Sequence, residues 1–371
     1  MTFLCCPDSF KGSLTALQAA HAMRRGILAA CPDAAILLCP MADGGEGTLE
    51  AMMPTKTLDV AACDALGRPL TAPIGLLEGG AAIVEMALTC GLTLVPPPLR
   101  HPLVLHTRGL GLQLAAAAAQ AERVYVGIGG SATNDGGVGM AQALDWRFLD
   151  AQGRDLPPAP AHLMKLHAIE GPAPLAAKVF AACDVTSPLC GPEGAAAVFG
   201  PQKGATPDEV EQLDEALAHL ADVVKTCLGI DAKDRPGAGA AGGMGFGLAA
   251  FCGAELLRGV AFVSAARNLP GLCARADVII TGEGRTDGQS ARGKVPAGVI
   301  AAANGKPVWV ISGSLGTGWE DVAVLGATVC LPAAPPDMPL PEAMKKAAVL
   351  LQQATRVAVE NGVAVAGGGP F

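Results

Sequence analysis

The chain has 371 residues, 51% of them hydrophobic and 16% charged, which excludes a long disordered tail and makes two globular domains the expected organisation. The formal net charge is -8 and Lys and Arg do not cluster, which argues against a nucleic-acid partner or another polyanion. One Tyr and three Trp are also too few for a base-stacking surface.

Both ends of the chain alternate short apolar runs with helix-like segments. The first helical stretch opens with Thr15 and Gln18 at the spacing of a capping box, and a last helix is predicted from Pro341 onward. Such alternation predicts a parallel sheet covered by helices. The apolar runs that we predict as strands are residues 2–6, 35–39, 277–281, 307–312 and 327–331.

The middle of the chain follows a different pattern. Residues 69–85 predict two extended segments around Glu78, Gly79 and Gly80, and residues 156–177 are proline-rich with weak periodicity. We therefore predict an α/β protein of two α/β domains, in which both chain ends form a parallel-sheet, Rossmann- or flavodoxin-like domain and the middle forms an inserted one. The predicted boundaries are residues 1–65 with 271–371 for the first domain and residues 66–270 for the second.

The most informative segment is GIGGSATNDGG, residues 127–137, which directly follows a short apolar strand. Its glycines allow close approach of a ligand to the backbone, and Ser131, Thr133 and Asn134 carry donors for an anion. A helix predicted over residues 138–146 would direct its N-terminal amides toward the same ligand. For this loop alone, a tight turn with Asn134 or Asp135 as the helix N-cap is an equally good interpretation.

Two more loops follow the first two strands and precede helices. PDSFKGS contains Ser9 and Lys11, which could bind a phosphate or a carboxylate, and ADGGEGT contains Asp43. Ligands of open α/β sheets collect at the carboxyl ends of the strands, where both loops are predicted to lie. The alternative is that Lys11 is a solvated loop cation.

Carboxylates mark two further strand ends. Asp184 could bind a metal, accept a proton or cap a turn, and its position leaves these roles open. TGEGRTDGQS supplies Glu283, Arg285 and Asp287, and two carboxylates with a cation suit Mg²⁺ together with phosphate. Just beyond, Lys294 stands at the start of a predicted helix and could present its charge to a phosphate.

Two glycine motifs imitate nucleotide-binding signatures, and we reject a nucleotide site of either kind at these positions. Residues 237–242 match G-x-G-x-x-G, but no predicted strand precedes them and no βαβ unit is apparent. Residues 288–294 imitate a P-loop, yet Val295 stands where Ser or Thr would hold Mg²⁺. We interpret residues 237–245 as a backbone-lined pocket for phosphate or a small substrate.

Taken in order, eight motifs resemble those of the bacterial glycerate kinases of the type I family, which phosphorylate glycerate at O2. The match spans nearly the whole chain, and the ordered set is far more specific than any single motif. The resemblance implies two α/β domains, one inserted into the other, with a cleft between them for ATP and D-glycerate and a requirement for Mg²⁺. The motifs are PDSFKGS, ADGGEGT, GIGGSATNDGG, CDVTSPL, GPQKGA, GAGAAGGMG, TGEGRTDGQS and GKVP.

Residue chemistry then supplies hypotheses for each role. Phosphoryl transfer needs positioning, charge neutralisation and a proton acceptor. We predict Asp184 or Asp135 as the general base and Lys11 as a further catalytic group, while Arg285 or Arg108 binds the substrate carboxylate. The predicted phosphate or substrate contacts are Ser9, Lys11, Gly129, Gly130, Ser131, Thr133, Asn134 and Lys294, and the predicted Mg²⁺ ligands are Asp43, Glu283 and Asp287.

Three alternatives stay open at this point. They are a kinase that makes 3-phosphoglycerate, a kinase of another short hydroxy acid, and a regulator that binds ligands without turnover; the full set of acidic loop residues favours an enzyme.

Twelve scattered cysteines without a C-x-x-C pair indicate reduced thiols, and the uncharged residues 236–254 are too glycine-rich for a membrane helix. We expect a soluble cytoplasmic protein that binds small molecules, with no nucleic-acid or membrane partner and with homo-oligomerisation left open.

Overall fold

A computed structural model describes residues 1–42, 44–172, 175–291 and 294–366, so the predicted metal ligand Asp43 lies outside the described residues. The strands are β1 (Thr2–Pro7), β2 (Ala35–Leu38), β3 (Lys56–Cys63), β4 (Pro69–Leu77), β5 (Ala81–Glu85), β6 (Arg123–Gly127), β7 (Arg147–Leu149), β8 (Ala168–Glu170), β9 (Lys178–Ala182), β10 (Glu255–Leu257), β11 (Val278–Gly282), β12 (Arg285–Thr286), β13 (Val308–Ser312), β14 (Ser314–Leu315) and β15 (Ala327–Pro332).

The α-helices are α1 (Ala16–Ala30), α2 (Thr48–Ala51), α3 (Ala87–Cys90), α4 (Arg108–Ala118), α5 (Val138–Gln142), α6 (Ala195–Phe199), α7 (Pro207–Leu228), α8 (Ala240–Cys252), α9 (Gly259–Arg267), α10 (Leu269–Arg275), α11 (Val295–Ala303), α12 (Glu320–Val324), α13 (Leu340–Lys345) and α14 (Ala347–Ala366). Short 3-10 turns cover Leu92–Leu94, Pro97–Leu99, Pro160–Lys165 and Pro201–Lys203. None of the helices in the described ranges has both the length and the apolar character needed to span a bilayer.

The chain forms two compact units. The first contains Met1–Ala42, Glu50–Met52 and Gly259–Phe371, and the second contains Asp43–Leu49 and Met53–Arg258. The domain boundaries predicted from the sequence stay a prediction, because compactness does not establish where an independently folding domain begins.

The first unit is built on a parallel sheet. In the part of the chain that the structure describes, its strand order is β15-β13-β11-β1-β2, and every neighbouring pair is parallel. The alternation of apolar runs and helices therefore predicted the sheet type correctly. The rings of Phe3 and Trp309 meet edge to face at 6.1 Å in its core, where Met23 and Leu351 are also fully buried.

Helices α1 and α14 pack directly against each other on this sheet. A Cβ at Gly26 of α1 would lie 2.4 Å from the backbone oxygen of Gln352, so only glycine permits this approach. The capping box predicted for α1 is confirmed, because Thr15 Oγ1 accepts from the Gln18 N–H while Gln18 accepts from the Thr15 N–H. The predicted last helix is interrupted: Lys346, with φ -100° and ψ 6°, separates α13 from α14.

The second unit is built on a mixed sheet with the order β10-β9-β6-β5-β4-β3 among the described strands. The two predicted extended segments are confirmed as the antiparallel pair β4 and β5, joined through Gly79 and Gly80, which both have positive φ. From β5 onward the neighbouring strands β6, β9 and β10 are parallel. Tyr125 stacks on Phe180 at 5.1 Å, which links the central strands β6 and β9. The α/β class is thus confirmed, with a parallel sheet in the first unit and a mixed sheet in the second.

Candidate active site

Three parallel strands of the second unit end side by side. Glu85 of β5 pairs with Gly127 of β6, and Gly127 pairs with Ala182 of β9. Because carboxyl ends of parallel strands meet at one edge of a sheet, the glycine-rich loop after Gly127 and the residue Asp184 both leave from this edge. The structure therefore brings together two loops that the sequence predicted as separate site elements.

Glu85 attaches residues 44–49 to the same edge. Its side chain is buried, and its carboxylate accepts from the N–H groups of Gly47 at 2.9 Å and Leu49 at 2.8 Å. The N–H of Gly129 donates to the carbonyl of Gly44 at 2.7 Å. Sequence reasoning did not select Glu85, although an ionisable residue at the end of the apolar run AAIVE was a signal that could have identified it.

Asp135 is enclosed by donors. Its Oδ2 accepts from the N–H and the hydroxyl of Thr107 at 2.8 Å each and from the Gly139 N–H at 3.1 Å, and its Oδ1 accepts from the Gly137 N–H at 3.1 Å. Burial raises the pKa of Asp135, and these hydrogen bonds act in the opposite direction.

The capping alternative is wrong in its residue, because the N-cap of α5 is Gly137, yet the Asp135 carboxylate does accept from N–H groups at the start of this helix. Asp135 is only 1% exposed, and its acceptors are directed to the start of α5 and to the residue before α4. A carboxylate held this way is a structural element of the loop. Of the two predicted bases, Asp184 is therefore the better candidate, since it is exposed two residues beyond β9.

Thr133 and Asn134 are fully buried, yet some of their polar side-chain atoms make no hydrogen bond to the described residues. Thr133 Oγ1 and both amide atoms of the Asn134 side chain have no hydrogen-bond partner among the described residues. Buried polar groups are normally satisfied, so an unsatisfied cluster indicates a site that a ligand or water completes. These two predicted contacts thus lie together in the loop that the sequence selected.

Lys203 is a second residue of this unit, after Glu85, that the sequence analysis missed. It is 2% exposed, and its Nζ donates to Ser131 Oγ at 2.9 Å and to the Thr133 carbonyl at 2.7 Å. Burial lowers the pKa of Lys203 to about 7, and the nearby carboxylate of Asp135 opposes this shift. The motif GPQKGA contains this lysine, but nothing local in the sequence indicates that its ammonium is buried.

The glycine-rich segment 237–247 packs against the same loop. A Cβ at Gly242 would lie 2.0 Å from the Thr133 carbonyl oxygen, and one at Gly247 would lie 2.5 Å from that of Gly136. The Gly136 N–H also donates to the Gly242 carbonyl at 3.1 Å. The pocket that we predicted here is replaced by close backbone packing, because these glycines let two main chains approach each other.

Other predicted contacts of this unit lie at the surface. Arg108 is the exposed first residue of α4, next to the start of α5, where a Cβ at Gly139 would lie 2.8 Å from the Arg108 nitrogen. Gly130 is exposed with φ +72°, a conformation that favours glycine, and Gly129 is half-buried against Gly45. These backbone positions suit contact with a ligand.

In the first unit, strands β1, β11 and β13 also end together. Pro7 pairs with Gly282, and the N–H of Gly313 donates to the Glu283 carbonyl at 3.0 Å. A Cβ at Gly284 would lie 3.5 Å from the Lys11 nitrogen, so the loop after β1 lies against the loop after β11. The structure therefore brings together the predicted segments that contain Ser9, Lys11 and Glu283.

Glu283 has the most unusual surroundings in this unit. It is 9% exposed, and its Oε1 has no partner among the described residues. Burial raises the pKa of Glu283; the Ser290 hydroxyl and the charge of Lys294 lower it, whereas Asp287 raises it further. The pKa of Glu283 therefore depends on three of the polar residues that follow it in the chain.

The three cationic side chains that the sequence predicted as ligand contacts in this unit are at the surface. Arg285, in β12, is exposed and its guanidinium lies against Gly316, where a Cβ would be 2.4 Å from Nε. Lys11 is exposed, and exposed Lys294 is the N-cap residue of α11. Each can therefore meet an anion from solvent without a change of fold.

The predicted trio of metal ligands stays a prediction, because its member Asp43 lies outside the described residues. Among the described residues, no cluster of three or more His, Cys, Asp or Glu side chains is arranged to hold a metal ion. Glu283 and Asp287 are the two members of the trio that the described ranges include.

A model of the glycerate kinase family matches residues 3–361. The chain belongs to the glycerate kinase family. It is 42% identical over 367 residues to a protein of Bacillus subtilis (strain 168) named glycerate kinase, with 96% of each chain covered. It is 45% identical to a protein of Escherichia coli K12 named glycerate 2-kinase, with 88% of this chain and 87% of the relative covered.

A crystal structure from Salmonella typhimurium LT2, of a protein provisionally named glycerate kinase 2, has the same fold. It superposes with a TM-score of 0.87, is 42% identical, and the match covers 98% of each chain. Membership of the glycerate kinase family confirms the resemblance predicted from the eight ordered motifs. The chain is therefore a kinase enzyme, and the alternative of a regulator without turnover finds no support.

Proposed function

We propose that this glycerate kinase transfers the terminal phosphoryl group of ATP to the O2 hydroxyl of D-glycerate, with Mg²⁺, and so produces 2-phospho-D-glycerate. The observation that carries the choice of product is the 45% identity to the Escherichia coli relative named glycerate 2-kinase. The reaction needs groups that bind phosphate, hold a metal, accept a proton and orient the substrate, and the strand-end loops offer each kind.

In the second unit, the loop after β6 binds phosphate. The amides of Gly129, Gly130 and Ser131 lie at the start of this loop, where Gly130 is exposed and Gly129 is half-buried. The hydroxyl of Thr133 and the amide of Asn134, which lack a hydrogen-bond partner among the residues that the structure describes, supply further polar contacts for the bound ligand. Backbone and amide donors in a glycine-rich loop are suited to phosphate oxygens.

In the first unit, Ser9, Lys11 and Lys294 contact phosphate, and Glu283 and Asp287 would hold Mg²⁺. The fit of the metal rests on Glu283, because its buried Oε1 has no hydrogen-bond partner within the described ranges and a carboxylate oxygen is the ligand that Mg²⁺ prefers. The bound ion would neutralise charge on the phosphate groups of ATP.

Asp184 accepts the proton of the O2 hydroxyl, and Arg108 or Arg285 binds the glycerate carboxylate. All three side chains are exposed, as contact with a diffusing substrate requires. A guanidinium can bind a carboxylate through two parallel hydrogen bonds, which would fix the orientation of the glycerate carboxylate. We also propose that the enzyme acts in the cytoplasm, because its co-substrate ATP is available there.

Phosphorus NMR of the product tests the proposal. The purified protein is incubated with ATP, Mg²⁺ and D-glycerate, and the product is compared with authentic 2- and 3-phosphoglycerate; L-glycerate serves as the control substrate. A 2-phosphoglycerate signal that depends on D-glycerate is the expected result. A 3-phosphoglycerate signal would keep the kinase and overturn the assigned hydroxyl, and phosphorylation of another short hydroxy acid alone would overturn the substrate.

A further inference from the structure

Lys203 has no role in the mechanism above, although it is one of the largest fully buried side chains of the protein. It is the last residue of the 3-10 turn Pro201–Lys203, and Gly204 follows with φ +99°. A Cβ at Gly204 would lie 2.7 Å from the Arg100 carbonyl oxygen, so the turn is held close to that segment. The backbone that carries Lys203 is therefore well defined.

Burying this ammonium is costly, because a charge leaves water. The lowered pKa of Lys203 is a sign of that cost, and two hydrogen bonds from Nζ offset part of it. The explanation for a lysine in such a place therefore lies in the groups that it contacts.

The two acceptors of Lys203 point to that explanation. Ser131 Oγ and the Thr133 carbonyl stand on either side of Ala132, so one ammonium attaches both ends of this short stretch. Both contacts join residues about seventy positions apart in the chain, at separations of 72 and 70. The Thr133 carbonyl is thus engaged, whereas the buried Thr133 hydroxyl and the adjacent Asn134 amide find no hydrogen-bond partner in the part of the chain that the structure describes.

We propose that Lys203 is a positioning residue that holds residues 131–134 in the conformation that binds the phosphate groups of ATP. The inference rests on the proposed function, in which this loop contacts phosphate. Lys203 touches no substrate itself; it acts through Ser131 and Thr133. A loop held in this way needs no reorganisation when the phosphate arrives, which is the physical benefit of a pre-formed site.

The test compares Lys203→Met with the matched control Lys225→Met. Methionine keeps much of the volume of lysine and removes the donors, while Lys225 is 61% exposed and pairs with Asp231 at the surface. For each variant, the thermal midpoint, kcat and the separate KM values for ATP and D-glycerate are measured. We expect Lys203→Met to stay folded, with KM for ATP raised about tenfold or more and KM for D-glycerate within about twofold. The control should match the wild type in all four values.

Wild-type KM for ATP in a folded Lys203→Met variant would overturn the inference, as would a loss of stability accompanied only by a lower kcat. If Lys203→Met does not fold, Ser131→Ala decides, because it removes one acceptor and leaves the lysine with the Thr133 carbonyl. A raised KM for ATP in Ser131→Ala supports the inference, and an unchanged one overturns it.

The failure of the proposed function has a different signature. If the wild type makes no phosphoglycerate, ATP binding is measured directly by calorimetry on the same proteins. Weaker ATP binding by Lys203→Met than by Lys225→Met then supports the positioning role without glycerate phosphorylation. Equal binding by both variants, or no binding by the wild type, overturns it.

Discussion

The N–H and the hydroxyl of Thr107 both donate to Oδ2 of Asp135, each at 2.8 Å. The same hydroxyl oxygen accepts from the Met140 N–H at 2.8 Å, so one threonine joins the carboxylate to the first turn of α5. The glycine-rich loop thus has an internal framework, with Asp135 on one side and Lys203 on the other. Side chains that shape this loop can be separated by experiment from side chains that react.

Asp135→Asn should lower the free energy of unfolding by about 2–4 kcal/mol. The asparagine amide would direct hydrogens toward N–H groups that now meet an acceptor, which leaves buried donors unsatisfied. Urea unfolding of the variant measures the loss, and Asp59→Asn on the exposed side of β3 is the control. A variant of full stability with a collapsed kcat would instead return Asp135 to the role of base.

Asp184→Asn should lower kcat by about 10²-fold or more and leave KM for D-glycerate nearly unchanged, because a general base acts in the transition state. Steady-state kinetics at saturating ATP measures both values. Asp33→Asn, at an exposed aspartate, should behave as the wild type. Near-normal kcat in Asp184→Asn would show that this residue is not the base.

Lys11→Ala should raise KM for ATP by about tenfold, which corresponds to the loss of one charge-assisted contact with phosphate. Lys56→Ala, at an exposed position of β3, provides the matched control. Initial rates at varied ATP concentration give the KM for ATP of both variants. An unchanged KM for ATP would identify Lys11 as the solvated loop cation of the alternative interpretation.

Glu283→Gln should raise the Mg²⁺ concentration needed for half-maximal rate by about tenfold while stability stays equal or increases. The substitution removes a ligand charge from the metal, but it also removes a buried carboxylate whose Oε1 has no partner among the described residues. Magnesium titrations at fixed ATP, with Glu320→Gln as the exposed control, measure the effect. An identical magnesium dependence in both variants would exclude Glu283 from the metal site.

The stability difference between wild type and Lys203→Met should shift in favour of the wild type as pH rises from 7 to 9. The folded pKa of Lys203, about 7, lies below the ordinary value of 10.5. Between these values the unfolded chain binds a proton that the folded protein does not, so wild-type stability increases with pH, by at most about 1.4 kcal/mol per unit. Urea unfolding at several pH values measures the slope. A pH-independent difference would show that Lys203 keeps its ordinary pKa in the fold.

Local pattern was enough to predict many elements of the fold. The capping box of Thr15 and Gln18, the hairpin through Gly79 and Gly80, and the apolar strands depend on residues within a few positions of each other, and spacing alone reveals them. Helix α5 is shorter than predicted, and it ends before Asp145, which has φ 66°. The break at Lys346 within the predicted last helix was likewise not visible in the apolar spacing.

Local sequence pattern and the order of the motifs were enough to predict the α/β class and the kinase family. Tertiary structure decided how the residues of the motif loops are buried and paired. The sequence could not distinguish a glycine that admits a ligand from Gly242, which admits the Thr133 backbone, or a solvated lysine from Lys203. The physical reason is distance along the chain: burial and hydrogen bonding of these groups depend on partners some seventy or more residues away, which only the assembled sheet brings into contact.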